Sequence, residues 1–174
     1  MIVKLDFSEG VLPAREQIPR SYHRQGDYVR AVVLTVDKSA KGPQVIMSRT
    51  HPDFLKRLFE NEVPEIADGI VEVKAVSREA GARSKISVFS TDPRVDAVGS
   101  CVGLKGSRVQ SIVRELGGER IDIVPWSADP AVFVSRALSP ARVMDVKVNE
   151  ADGRMNVIVA DDQMSPDAAK QTAD

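Results

Sequence analysis

The chain has 174 residues, 43% apolar and 28% charged, with a net charge of −1, a composition ordinary for a soluble globular protein and sufficient to build a core. A single cysteine, Cys101, excludes an internal disulfide framework and any multi-cysteine zinc site, and His23 and His51 are the only histidines. No apolar run approaches the roughly 18 residues of a membrane-spanning helix, and residues 1–6 hold neither a basic leader nor an apolar segment, so a soluble, cytoplasmic chain without a membrane partner is expected.

Charge is unevenly spread. Residues 1–50 carry eight Lys/Arg against five Asp/Glu, whereas residues 141–174 carry four against seven. A basic front suits a polyanion, because phosphate neutralisation supplies much of non-specific affinity. A solvated mixed surface gives the same pattern. Aromatics make up only 5%, which argues against a large aromatic stacking surface.

In chain order, Val3, Leu5 and Phe7 alternate with Lys4 and Asp6, the period of a half-buried strand. Pro13 to Arg20 breaks that regularity. Residues 29–36 are apolar and β-branched and read as a second strand. Lys41-Gly42-Pro43 is a turn leading to a third over residues 44–48. Three strands leave open edges, so the sheet looks incomplete at its N-terminal side.

His51-Pro52-Asp53 opens a helix in which Phe54, Leu55, Leu58 and Phe59 form one apolar stripe ending before Pro64. Residues 69–76 and 84–90 read as a hairpin joined by a polar, glycine-containing segment. A short helical stretch over 94–102 ends at Gly103. An amphipathic helix follows over 107–116, with Val109, Ile112, Val113 and Leu116 on one face and Gly117-Gly118 as its stop. Ser107 and Gln110 have the spacing of a capping box, so Ser107 is expected to cap this helix. Residues 121–124 are a third strand of this sheet, Asp129-Pro130 starts another helix, and residues 143–148 and 155–160 pair around Asp152-Gly153.

The motif that carries chemistry is Gly103-Leu104-Lys105-Gly106, lying between a short helix and an amphipathic one. A Gly-x-x-Gly alone is weak, arising about once by chance in a chain of this length. Its position gives it meaning. Two glycines let the backbone approach another chain with no Cβ in the way. The loop also leads into a helix start, where unpaired N–H groups and the dipole favour an anion. Lys105 and Arg108 add positive charge. This arrangement suits a sugar–phosphate backbone, and KH modules clamp about four nucleotides in this way. The plainer alternative is a tight helix–turn–helix with solvated Lys105 and Arg108.

Residues 98–110 and 115–126, with Ser48 to Pro52 and Leu55 to Phe59 before them and Ala137 to Ala141 after them, resemble the first KH domain of the NusA family. These ordered anchors are far more specific than the glycine pair, and the similarity runs from residue 1 to about residue 163. The resemblance implies an α+β fold: the C-terminal part of an OB-type RNA-binding β-barrel over 1–50, a type II KH domain with its leading helix over 51–140, in which helices cover one face of a mixed sheet, and an incomplete second KH domain over 141–174. Asp161-Asp162-Gln163 resembles the approach to the second domain's glycine loop, but Met164 to Ala169 bring no glycine, and the family's polymerase-binding domain is not seen.

The implied function is single-stranded RNA binding within a factor of transcription elongation, termination and antitermination, with an RNA polymerase elongation complex as partner. No catalysis, cofactor or metal is implied. The expected RNA-binding residues are Gly103, Leu104, Lys105, Gly106, Ser107 and Arg108, with Arg108 on phosphate. Two other classes fit less well: an RNA-binding module of an exoribonuclease, which lacks any visible catalytic carboxylate set, and a truncated interaction fragment that binds nothing.

Other candidates have plainer explanations. Cys101 near a helix end invites a catalytic thiol, yet a packed small residue is expected. His51 before a proline reads as a helix-start contact. Asp161-Asp162 suggests a magnesium pair or, more simply, an acidic turn. Trp126 stacks a base or packs at a strand end, and packing is preferred. Tyr22 and Tyr28 are undecided.

Overall fold

The computed structural model describes residues 1–6, 8–37, 44–149 and 153–160. The chain forms two compact units, Met1–Ile123 and Val124–Asp174.

The first unit opens with a four-stranded sheet in the order β1-β2-β4-β3: β1 (Ile2–Lys4), β2 (Glu9–Val11), β3 (Val32–Asp37) and β4 (Gln44–Ser48). β1 and β3 pair antiparallel to β2 and β4 respectively, whereas β2 runs parallel to β4. Two expectations change here. The first strand stops at Lys4, because Leu5 N–H donates to Ser8 O (2.9 Å) and turns the chain into β2, giving four strands rather than three. β3 starts at Val32 rather than Val29, since the Arg30 carbonyl accepts from the buried Arg49 guanidinium instead of joining a ladder. Among the described residues the sheet stays open and closes no barrel. Phe7 and the Lys41-Gly42-Pro43 turn lie outside the described residues.

Next come α1 (Pro52–Glu62), α2 (Pro64–Ala67), β5 (Val71–Glu79), β6 (Arg83–Ser90), α3 (Ala97–Val102), α4 (Ser107–Glu115) and β7 (Arg120–Pro125). With the four-residue α2 counted as an extension of α1, this helix–strand–strand–helix–helix–strand order is the one expected of a type II KH domain. His51 begins α1 as expected: its Nδ1 accepts from Asp53 N–H (3.2 Å), and Pro52 occupies the first turn, where a missing N–H costs nothing. β5 and β6 form an antiparallel hairpin, and the sheet order is β5-β6-β7. The start of β7 lies beside the start of β6, since Arg120 N–H donates to Ala82 O (3.1 Å) and Asp122 meets Arg83 (2.6 Å). The two strands therefore run the same way, with α3 and α4 as the crossover that parallel strands require.

The core joins the α1 stripe (Phe54, Leu55, Leu58, Phe59) to Val71, Ile86 and Val88 of the sheet and to Cys101, Ile112 and Leu116 of the helical pair. Each such side chain contributes about 1.5–3 kcal/mol on full burial. Ile18, from the segment before β3, is packed into this same core at 2% exposure. Buried charge reinforces the join. Arg49 donates to Glu115 Oε1 and to Glu115 O, each at 2.9 Å, and lies over the Phe54 ring. The side chains of Arg78 and Glu119, both fully covered, pair through Nε and Nη2 at 2.9 Å, while Gly81 N–H and Ser84 Oγ also donate to Glu119.

In the second unit α5 (Pro130–Ala137) is capped by Asp129, whose carboxylate accepts from Ala131 and Val132 N–H (2.9 and 3.3 Å). β8 (Val143–Asn149) and β9 (Arg154–Val159) form the expected antiparallel hairpin, with Asn149 opposite Arg154. Asp152, Asp161, Asp162 and everything beyond lie outside the described residues. This unit groups α5 with the hairpin, whereas the sequence reading placed it with the residues before 140.

Candidate nucleic-acid interface

The glycine loop is built from left-handed backbone. Gly103 (φ 74°, ψ 174°) ends α3, Lys105 sits at φ 51° and ψ 29°, and Gly106 (φ 76°, ψ 14°) precedes α4. The two glycines are required for different reasons. A Cβ on Gly103 would come within 2.7 Å of Arg108 Cγ, so this position admits no side chain while Arg108 lies over it. A Cβ on Gly106 would meet nothing nearer than 4.0 Å, so there the left-handed φ alone selects glycine. Lys105 holds a left-handed conformation that costs an ordinary residue about 1–2 kcal/mol.

The turn is closed by Gly106 N–H donating to Gly103 O (3.1 Å), and it turns Leu104 and Lys105 outward; Leu104 is 85% exposed. An apolar side chain held that far into water has no packing role in this unit. At the start of α4 the cap position is Gly106, which has no side chain to offer the helix. Ser107 is the first helical residue and not the cap, which corrects the capping-box expectation. The left-handed Gly106 shifted the helix start by one position. Ser107 N–H donates to Leu104 O, and the N–H groups that follow it at the start of α4 have no side-chain acceptor and lie at the positive end of the helix dipole.

Arg108 occupies a different place from the one its position suggests. Its Nη1 donates to Glu65 Oε2 of α2 (2.9 Å) and to Ser100 O of α3 (2.6 Å), tying three helices together beside the loop. Glu65, Asp96, Ser100, Leu104, Ser107 and Arg108 are among the residues around an open cleft of about 610 Å³ next to the glycine loop. Sequence reasoning missed Glu65. It lies in the four-residue helix Pro64–Ala67, too short to show a period, and its partner is 43 residues away.

Of the remaining candidates, Cys101 is accounted for by packing. Cys101 is fully buried, and its thiol is pushed up to about 12, first by burial and then by the nearby Glu65 carboxylate. It is a protonated core group at neutral pH and supplies no nucleophile. Among the described residues no cluster of three or more His, Cys, Asp or Glu is placed to hold a metal. Trp126 is half-buried, and its carbonyl accepts from Arg136 of α5 (3.4 Å). No helix among the described residues is long and apolar enough to cross a membrane.

The family model for the NusA-like first KH domain matches residues 49–126, and that for the NusA-like second KH domain matches residues 130–167. The chain is 58% identical over 163 residues to the transcription termination/antitermination protein NusA of Bacillus subtilis, covering 94% of this chain and 44% of that protein. It is 46% identical over 165 residues to the protein of the same name from Thermus thermophilus, covering 95% and 43%. With that of Borreliella burgdorferi it shares 40% over 166 residues, covering 95% and 34%. The chain thus spans less than half the length of these relatives.

Proposed function

This chain belongs to the NusA family, and from that premise we propose that it binds single-stranded RNA through the loop Gly103–Gly106 and the first turn of α4. The single observation that carries this reading is the uncapped start of α4 behind a left-handed glycine loop with Leu104 and Lys105 fully displayed. Gly103 and Gly106 let the RNA backbone approach, Lys105 attracts its charge, and the N–H groups that follow Ser107 in the first turn of α4 donate to a phosphate. Leu104 offers an apolar surface to a base. Arg108 reaches phosphate by giving up Glu65.

Within the whole protein this binding serves transcription termination and antitermination, the process that the relatives are named for. The partners proposed are nascent single-stranded RNA and the elongation complex, and the setting is the cytoplasm. The chain's part is binding without chemistry. The domain order proposed is the open sheet to residue 50, then the KH domain with its leading α1, then the start of a second KH domain.

A titration of fluorescent single-stranded RNA at two salt concentrations tests the reading. The parent chain should bind with an affinity that falls as salt rises. The double variant Leu104→Asp, Lys105→Asp keeps both glycines and should lose that binding. Equal binding by parent and variant would move the activity away from the loop.

A further inference from the structure

The cleft beside the glycine loop is lined by two carboxylates, Glu65 on α2 and Asp96 at the start of α3. Each has one oxygen engaged. Glu65 Oε2 accepts from Arg108 (2.9 Å), and Asp96 Oδ1 accepts from Val98 N–H (3.1 Å). Among the described residues neither Glu65 Oε1 nor Asp96 Oδ2 receives a hydrogen bond. Gly99 shows where the second free oxygen lies: a Cβ there would come within 2.5 Å of Asp96 Oδ2, so this carboxylate rests against the bare backbone of α3. Both carboxylates also act on one buried thiol. Cys101 is raised by burial first, then by Glu65 and more weakly by Asp96, which places the two charges around the same short helix. A lining of this kind repels a phosphate and suits a ligand edge made of N–H donors.

Arg108 ties this lining to the loop. A phosphate that draws the guanidinium away leaves the Glu65 carboxylate, its side chain 30% exposed, with both oxygens unpaired. That costs free energy unless another donor takes the place of the arginine. The nucleobases differ in what they bring. Guanine presents two adjacent donors, N1–H and N2–H, which match the two oxygens of a carboxylate as an arginine fork does. Cytosine and adenine each bring one amino group beside a ring-nitrogen acceptor. Uracil has a single N–H between two carbonyl oxygens, so a carboxylate facing it gains one bond against two repulsions. Val95 and Leu104, on the same lining, supply apolar surface for the faces of a ring.

We infer that Glu65 is the specificity-determining residue of the loop site: once a phosphate has taken Arg108, its carboxylate pairs with the N1–H and N2–H edge of one guanine in the cleft. Asp96 adds negative charge that disfavours the carbonyl edge of uracil. The inference rests on the KH reading and deepens it by naming a base. Phosphate capture and base selection are thereby one exchange, since the partner that Glu65 loses to the RNA backbone is returned to it by the base.

The test uses fluorescein-labelled tetrauridylate and the tetramers that carry one guanine at each position in turn, since a KH loop takes about four nucleotides. One guanine tetramer should bind the parent chain about tenfold or more tighter than tetrauridylate, the discrimination expected of a two-point base contact. Inosine at that position lacks only the N2 amino group and should lose most of the gain, with the protein unaltered. Glu65→Met is close in shape and has no oxygen to accept. It should bind tetrauridylate at least as tightly as the parent, because Arg108 is released, and should hold the guanine and uracil probes at nearly equal affinity. No guanine preference in the parent, inosine performing as well as guanine, or a preference kept by Glu65→Met would overturn the inference. The Leu104→Asp, Lys105→Asp variant judges the underlying reading separately. If it binds tetrauridylate as the parent does, the KH reading fails; if it does not, a parent without guanine preference sinks the base assignment alone.

Discussion

Arg108 donates to Glu65 Oε2 at 2.9 Å, an ion pair with both side chains about 30% exposed, at the mouth of the cleft beside the glycine loop. The cation that sequence spacing assigns to a phosphate is therefore held by a carboxylate of the protein when RNA is absent. Under the proposed reading, an approaching phosphate would compete with Glu65 for it.

Releasing that pair should favour RNA. Glu65→Gln removes the competing charge, and partly exposed pairs are worth about 0.2–1 kcal/mol, so affinity should rise by up to about fivefold. The slope of affinity against salt should steepen by about one counterion. Arg108→Gln should shift both quantities the other way. Anisotropy titrations at four salt concentrations read these changes, and a loss of affinity in Glu65→Gln would show that Arg108 works by positioning the loop.

The two glycines should respond unequally to alanine. Gly106→Ala meets only the left-handed backbone penalty, about 1–2 kcal/mol. Gly103→Ala meets that penalty and also drives a Cβ to within 2.7 Å of Arg108 Cγ, so Arg108 must leave Glu65 and the Ser100 carbonyl. Urea unfolding should rank Gly103→Ala as the more destabilised of the two; the reverse order would contradict the packing described.

Glu119 should link stability to acid. Burial opposes its ionisation, but donors from Arg78, Ser84 and the Gly81 N–H more than offset this, so its pKa lies below the ordinary 4.5. A folded-state pKa below the unfolded one means the stabilisation is whole above about pH 4.5 and disappears as pH falls through the lowered value. Glu119→Gln leaves Arg78 buried without its counter-charge, at a cost of about 3–5 kcal/mol at neutral pH. Thermal melting from pH 7 to pH 3 should show the parent and variant converging at the acid end. A constant difference across that range would show that the Glu119 charge is not what stabilises.

Cys101 should be silent in the native state. With the thiol buried and raised to about 12, a thiol reagent at pH 8 should label it only as fast as the protein opens. Rapid labelling of folded protein would contradict its place in the core.

How far the sequence revealed this is uneven, for physical reasons. The helix of Phe54, Leu55, Leu58 and Phe59 was legible because that periodic face is buried, and that of Val109, Ile112, Val113 and Leu116 because its face carries the buried Ile112 and Leu116 between half-buried valines. β2 was not legible: Glu9, Gly10 and Val11 alternate nothing, and the strand exists because β1 and β4 pair with it on both sides. Arg49, Arg78 and Glu119 read as surface residues by type, whereas long-range partners make them interior. At the site, the glycine loop was legible as a local motif, and the Glu65–Arg108 pair, joined only by tertiary folding, was not.

The most direct test of the central claim follows backbone amide shifts in an isotope-labelled chain as single-stranded RNA is added. Amides from Gly106 through Val109 should move first and furthest, since Gly106 and Ser107 join the loop to the N–H groups of Arg108 and Val109 offered to phosphate, and the Leu104→Asp, Lys105→Asp variant should show no such movement. Saturable RNA binding that leaves those amides in place would contradict the assignment of the loop as the binding site.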